Sequence, residues 1–595
     1  MSTRFTRWIP ALSWLRDYEL RRDLPGDLSA GLTVAVMLIP QGMAYAMLAG
    51  LPPVVGLYAS VVPLLVYAFL GTSRQLAVGP VAMVSLLVAT GVGAIAELGS
   101  AAYVALAVVL AGMVGVIQLA MGLLRLGKLV TLLSHPVISG FTSAAAIIIG
   151  LSQLKHLLGA PIPRSARLHE LLASAAQALP ETSLVTLGIG AASIAILLGL
   201  KRWAPRFPGA LTVVGLGTLA TWGLGLHEAG VAIVGEVPAG LPRPGLPSFD
   251  LEQISALLPT ALVISLVGFM ESISVAKAFA RKHRYEVDAS QELTALGLAN
   301  VAGTLFGAYP VTGGFSRTAV NGQAGARTGL ASAITAVVIG VALLFFTPLF
   351  HFLPNAVLAA IVMTAVFGLV DLKEARHLWH VKRTDAGLLA LTFAVTLFVG
   401  IEEGIGAGVL GSLALFVHRS TRPHHAILGR LPGTTSYRNV TRFPEAERVP
   451  GVTIWRFDAS FYFANADYFR DQVDRLLLGG GARALVLDAS GINDLDASAV
   501  TTLEEVHARL DAAGVQLFVA HAKGPVRDVL ERGGFTARLG ADRFYLDLHE
   551  AVTAAAAAPQ PSTRSISLSS SSTRQGFFKN TVCAESAPAS SVMSE

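Results

Sequence analysis

Charge is scarce in this 595-residue sequence. Asp, Glu, Lys and Arg make up only 14% of it, against roughly a quarter in soluble domains. With 53% hydrophobic residues and a mean hydropathy of +0.60, most of the chain cannot be water-facing globule, which excludes an ordinary cytosolic enzyme. Cysteine is nearly missing: the single copy, Cys583, can form neither an internal disulfide nor a cysteine-built metal site. There is no HExxH, no CxxC and no P-loop, and Leu478-Gly479-Gly480-Gly481-Ala482-Arg483 lacks the Lys-Ser/Thr that grips phosphate. His135 and His156 have no partner at metal-ligand spacing. Catalysis, a metal and a cofactor are therefore not expected. Met1 to Pro25 is basic and mixed where a cleavable signal peptide needs an apolar stretch. The net charge of +5 and pI near 9.3 raise nucleic acid as a partner, but the basic residues form no dense patch, so none is expected.

What the chain does have is apolar runs. From about Asp27 to His418 they recur between short loops, each long enough or nearly so to cross a hydrocarbon core of about 30 Å. About fourteen are expected, centred near Val36, Val61, Leu87, Val109, Ala145, Ala192, Leu216, Ser265, Leu298, Val320, Val337, Val362, Thr392 and Gly411. An even count places both ends on one side. Arg4, Arg7, Arg16, Arg21 and Arg22, then Arg74, Arg125, Lys128, Lys201, Arg202, Arg206, Lys277, Arg281, Lys282, Arg284, Arg327 and the 371–383 loop share that side. The opposite loops hold only Lys155, Arg164, Arg167 and Arg243. The positive-inside rule then predicts cytoplasmic termini, in a plasma membrane of the bacterial inner-membrane type.

Two runs break the pattern. The one beginning Ala77-Val78-Gly79-Pro80 reaches only to Gly93, about 21 Å of helix. The other has an extended lead, Tyr309-Pro310-Val311-Thr312-Gly313-Gly314, and then a short polar helix carrying Phe315, Ser316 and Arg317. Irregular backbone at membrane depth lines a cavity or is buried in protein. Paired, interrupted segments at matching places in two halves point to a transporter site between inverted repeats. Two helix N-termini facing one cavity, with Arg317 beside them, make an anion site; a snorkelling arginine is the other reading of Arg317. Gln41 follows Pro40 inside the first run, with Tyr45 one turn on, which fits either a ligand contact or a kink with a satisfied amide. Glu271 lies inside the eighth run, with Ser274 at i+3. An intramembrane carboxylate is protonated, paired or functional. Glu271 therefore reads as a proton carrier, as a Na⁺ ligand together with Ser274, or as a structural partner of a base.

After Arg419 the composition changes. Strand-like runs Val452 to Phe457, Ala484 to Asp488, Val515 to Ala520 and Arg543 to Leu546 alternate with helical stretches Ala464 to Leu478, Ala497 to Leu510 and Pro525 to Arg532. A small α/β domain follows. The expected layout is an N-terminal cytoplasmic segment at 1–26, a membrane domain at 27–420, a linker at 421–449, the α/β domain at 450–556 and a disordered Ser-rich tail at 557–595.

The stretch Ile39-Pro40-Gln41-Gly42-Met43-Ala44-Tyr45 through Gly50-Leu51-Pro52-Pro53, with Gly56-Leu57-Tyr58, Leu70-Gly71-Thr72-Ser73-Arg74, Val78-Gly79-Pro80, Asn300 and Phe315-Ser316-Arg317, resembles the sulfate permease (SulP) family of anion transporters. The resemblance covers about residues 15–555, and the C-terminal segment is similar to a STAS domain. It implies a polytopic α-helical membrane protein of about fourteen transmembrane segments, a seven-plus-seven inverted repeat divided into core and gate domains. It also implies a cytoplasmic STAS appendage, a homodimer and elevator-like transport. The anion would sit between the third and tenth helices, with Gln41, Tyr45, Val81, Phe315, Ser316 and Arg317 lining the site. Val81 stands where relatives often have an aromatic residue, which leaves site size open. Glu271 matches the acidic position of proton-coupled members, so proton symport of sulfate or a dicarboxylate is expected. Sodium-coupled bicarbonate uptake, anion exchange, a uracil-type permease and a membrane-anchored scaffold are the alternatives. In the STAS segment the position phosphorylated in related anti-sigma antagonists falls on Ala497, which cannot take a phosphate, and Ser498 reads as a helix cap.

Overall fold

The computed structural model describes residues 9–128, 134–163, 165, 167–204, 207–247 and 250–559. Arg4, Arg7, Arg164, Arg206, Cys583 and nearly all of the 557–595 tail lie outside the described residues. The chain divides into two compact units, Met1–Leu415 and Phe416–Glu595.

The first unit is helical because, in lipid, only intrasegment hydrogen bonding satisfies the backbone, so that Gly and Pro are tolerated inside its helices. Among the described residues, eight helices are long and apolar enough to cross a membrane, from Leu20–Leu48 to Ile401–Thr421. Shorter apolar helices stand at Ala82–Gly93, Gly209–Gly223 and Leu330–Phe345. Each of the remaining expected runs also holds a helix: Ala289–Leu305, Phe315–Gln323 and Arg383–Phe398. Small residues let these helices approach closely. A Cβ on Gly56 would stand 1.9 Å from the Gly42 carbonyl oxygen, so the Gln41-Gly42 turn of Leu20–Leu48 packs backbone to backbone against Pro53–Tyr58. Pro25 and Pro40 both lie inside Leu20–Leu48.

Two strands of two residues cross within this unit. β1 (Val78–Gly79) pairs antiparallel with β2 (Thr312–Gly313), in the register Val78 to Gly313 and Gly79 to Thr312. Each runs directly into one short helix, Ala82–Gly93 or Phe315–Gln323. At 1.5 Å per residue neither crosses a bilayer, so both are half-helices. Because their leads pair antiparallel, the two helices leave a common crossing point in opposite directions and their N-termini meet.

The second unit is a six-stranded sheet in the order β4-β3-β5-β6-β7-β8. Its strands are β3 (His425–Arg430), β4 (Tyr437–Asn439), β5 (Val452–Phe457), β6 (Ala484–Asp488), β7 (Gln516–Ala520) and β8 (Phe544–Tyr545). β5 to β8 are parallel, joined by helices that cover the sheet. The 421–449 linker expectation is corrected here. Those residues form the β3–β4 hairpin, and β3 pairs antiparallel with β5, burying Ala426, Leu428 and Tyr437 against the sheet. A further helix, Leu548–Ala557, closes one face.

Candidate anion site at the crossed strands

The N-caps of the half-helices are Val81 and Gly314, both in extended backbone and neither providing a side-chain cap. The first N–H groups of a helix have no partner within it. Here they remain open at the point where both positive dipole ends converge.

Why the leads stay extended is visible in their hydrogen bonds. Asn300, buried in Ala289–Leu305, accepts the Val311 N–H at Oδ1 (2.8 Å) and donates Nδ2 to the Val311 carbonyl (3.1 Å). The Thr312 hydroxyl donates to the Gly268 carbonyl (2.6 Å) and meets Ser272 Oγ at 2.6 Å, while Ser272 Oγ accepts the Gly313 N–H (2.8 Å). These side chains replace the ladder that so short a pair of strands lacks. Leu251–His283 thereby fastens β2.

Arg317 stands in the first turn of the second half-helix and is 2% exposed. Its Nη1 donates across to the Pro80 carbonyl at 2.5 Å. Nε and Nη2 are buried without a partner. That is one edge of the guanidinium, two parallel N–H donors of the kind that two oxygens of an oxyanion can accept. Glycine leaves room for it: a Cβ on Gly314 would stand 2.8 Å from Nη2. Gln41 is 5% exposed, with Oε1 buried and unpartnered, and Tyr45 is 7% exposed. Tyr45, Tyr309 and Glu271 all lie within electrostatic range of the guanidinium. Glu271 is half-buried and makes no ion pair with Arg317 within 4.0 Å.

The structure thus gathers Tyr45, Val81, Glu271 and Arg317 around the crossing, with Gln41 buried one turn before Tyr45 on the same helix, while Phe315 and Ser316, on the first turn with Arg317, are exposed. Ser274 is exposed, and the hydroxyl that touches the strands belongs to Ser272. Ser272 and Thr312 were missed in the sequence; their signal was position, beside Glu271 and inside the irregular lead.

In the second unit the corresponding strand ends are filled from within. Asp496 caps two helices, accepting the Ala499 N–H (2.8 Å) at Oδ1 and the Phe463 N–H (2.9 Å) at Oδ2. Asp488 accepts the Ser490 N–H (3.1 Å) and meets His521 Nδ1 at 3.0 Å.

Residues 24–392 match the sulfate permease family and residues 443–551 match the STAS domain. "Sulfate transporter 4.1, chloroplastic" of Arabidopsis thaliana is 43% identical over 92% of this chain and 83% of its own length. The solved structure of the murine Solute Carrier 26 family member A9 anion transporter in the inward-facing state superposes with a TM-score of 0.86 at 27% identity, covering 93% of this chain and 95% of that one. The transmembrane domain of a cyanobacterium bicarbonate transporter, BicA, superposes with a TM-score of 0.58 at 27% identity, covering 67% and 98%.

Proposed function

This chain belongs to the sulfate permease family, and we propose that it moves a small oxyanion, sulfate first and a dicarboxylate second, across a plasma membrane together with protons. The observation that carries the reading is the free edge of Arg317, buried where two uncapped half-helices meet. A buried guanidinium with two unused donors is costly unless a ligand completes it. A neutral base would leave that charge unmet, which weighs against the uracil-type reading, and a scaffold has no use for it. Gln41, Tyr45, Val81, Phe315 and Ser316 would complete the wall of the site. Glu271 would carry the proton: it is unpaired, yet near enough to Arg317 for anion and proton to sense each other. Ser274, the second oxygen ligand of a sodium reading, is exposed, and sodium dependence of uptake separates that reading from protons.

The half-helix unit would travel as the core of a seven-plus-seven repeat against a gate, in an elevator-like step. Arg74, Arg284 and Arg327 lie in loops and Arg281 and Lys282 in the last turn of Leu251–His283, and the positive-inside rule applied to them supports cytoplasmic termini and a cytoplasmic STAS domain. Homodimerisation fits the same family picture. Purified protein in liposomes should accumulate labelled sulfate when an inward proton gradient is imposed, and Glu271→Gln should uncouple uptake from that gradient. Uptake that follows sodium and labelled bicarbonate instead would replace the proton reading with the bicarbonate one.

A further inference from the structure

Three buried carboxylates in the membrane unit lie outside the anion site; Asp23 is ion-paired with Arg22 and Arg327, and the other two are held by hydrogen bonds. Glu292, in the first turn of Ala289–Leu305, is fully buried. Its Oε1 accepts the Thr72 N–H (2.6 Å), the Thr72 hydroxyl (2.6 Å) and the Ser73 N–H (3.1 Å), and its Oε2 accepts the Tyr67 hydroxyl (2.7 Å). Asp27, equally buried in Leu20–Leu48, accepts the Arg327 N–H (2.7 Å) and the Thr328 N–H (3.1 Å) at Oδ1, and the Thr328 hydroxyl (2.6 Å) at Oδ2. Each carboxylate holds two consecutive N–H groups and one threonine hydroxyl, and among the described residues neither is ion-paired within 4.0 Å. Burying a carboxylate without a cation is expensive, so these hydrogen bonds are what offsets its desolvation.

The two loops so held are those that serve the half-helices. Residues 71–77 lead into β1 and the first half-helix, and residues 324–329 leave the second. Gln75 ties one loop to the other. Its Nε2 donates to the Ala326 carbonyl (3.0 Å), its Oε1 accepts the Tyr285 hydroxyl (2.7 Å), and its carbonyl accepts Asn321 Nδ2 (2.9 Å). A continuous polar chain therefore runs from Glu292 through Gln75 to Asp27. Both loops also line a cleft of about 820 Å³. Leu76 enters the apolar core and Ala326 packs on Ala30 and Ala331, while the polar residues of both loops are held by these hydrogen bonds.

We propose that Asp27 and Glu292 are a pair of positioning residues that set the register of the two half-helices, so that their open N–H groups converge on one anion. The inference rests on the anion site described above. A shift of a few tenths of an ångström in either loop is passed along a rigid half-helix to the site, where oriented donors act over short range.

The test uses full-length protein in lipid nanodiscs for radiolabelled sulfate binding, in liposomes for uptake, and in hydrogen exchange of residues 72–75 and 326–328. Glu292→Gln and Asp27→Asn keep shape but lose acceptor strength. Each should raise the sulfate Kd and KM about tenfold while the rate at saturation, per folded molecule, stays within about twofold. Exchange should quicken in both loops in either variant, because Gln75 couples them, and the double variant should be less than additive. Tyr67→Phe and Thr328→Ala remove one donor each and should raise KM about threefold; they decide the matter if a carboxylate variant does not fold. Unchanged Kd and KM, or a loss confined to the amount of folded protein, overturns the proposal. Arg317→Ala separates the two readings. If it abolishes binding while the carboxylate and donor variants bind normally, positioning alone fails; if it too binds normally, the anion site fails.

Discussion

Around the half-helices of the membrane unit, buried polar atoms are left over: Arg317 Nε and Nη2 at the crossed strands, Asn321 Oδ1 further along the second half-helix and Gln41 Oε1 on Leu20–Leu48 have no partner. At the carboxyl ends of the strands in the STAS unit, the place where open α/β sheets usually bind ligands, the polar groups are used up. Asp496 caps two helices, Asp488 has two partners, and Asn465 bonds Ser420, Ser460 and Tyr462. Both regions bury charge beside helix N-termini. The difference is whether the protein itself supplies the counterpart. At the STAS strand ends it does, so those groups serve folding; at the crossed strands it does not, and under the proposed function the anion would be the counterpart.

Substitution should therefore separate function from stability in opposite ways in the two units. Arg317→Ala should have the largest effect, lowering anion uptake by about a hundredfold or more while the melting temperature holds or rises, because a buried unpaired cation is removed. A fall in stability matching the fall in uptake would make Arg317 structural. Arg317→Lys should recover little, since a point charge does not replace the two-donor edge.

Gly314→Ala sharpens the contrast. Its Cβ would stand 2.8 Å from Nη2 and 2.9 Å from Cζ of Arg317, and displacing the guanidinium should raise KM about tenfold with little change in folding. An unchanged KM would show that the guanidinium edge does not meet the anion.

Asp496→Ala should do the reverse, destabilising the STAS unit by about 1 to 2 kcal/mol through two lost caps and leaving KM for the anion as it was. Chemical denaturation followed by Trp455 fluorescence, beside transport kinetics, checks both halves. A changed KM with normal folding would mean that these strand ends act on transport.

The smallest effect is a pH dependence confined to the STAS unit. Burial, helped by His424 and Arg475, holds the His425 imidazole below its ordinary value of 6.5, and Trp455 Nε1 donates to its Nδ1 at 3.1 Å. The folded value lies below the unfolded one, so the neutral ring is the stabilising form. That contribution is whole above about pH 6.5 and is lost as pH falls towards the folded value. Unfolding of the unit should come about a degree or two lower at pH 5.5 than at pH 7.5, and His425→Gln should narrow the gap. Asp458 acts in the same direction: burial opposes its charge, but hydrogen bonds from Arg456 and His424 hold it below the usual carboxylate range, so its contribution fades only at lower pH. A gap that His425→Gln leaves untouched would remove the imidazole from the account.

Much of this was legible in the sequence because the site departs from the pattern around it. Gly79-Pro80 and Gly313-Gly314 interrupt apolar runs, and Arg317 is a charge where charges are rare, so half-helices and guanidinium stood out. Asp27 and Glu292 did not, since acids near the ends of spans are ordinary and only tertiary contact shows that these two are buried on loops. Helical spacing points from Glu271 to Ser274 at i+3 and gives no sign of Ser272. On a helix, Ser272 lies about 100° to one side of Glu271 and Ser274 about 60° to the other, and periodicity alone cannot say which side meets β2. The β3–β4 hairpin was hidden for a similar reason: an edge hairpin with Arg430, Arg438 and Asn439 among few apolar residues reads as a polar connection until its partner β5 is known.

The most direct measurement is the location of a bound anion. Selenate, an oxyanion with an anomalous scatterer, can be located crystallographically in the full-length protein at the selenium edge. The account predicts an anomalous peak with oxygens about 3 Å from the first N–H groups of Ala82–Gly93 and Phe315–Gln323 and from Nη2 of Arg317. A selenate peak elsewhere in the membrane unit, with Nε and Nη2 still unmet, would contradict it.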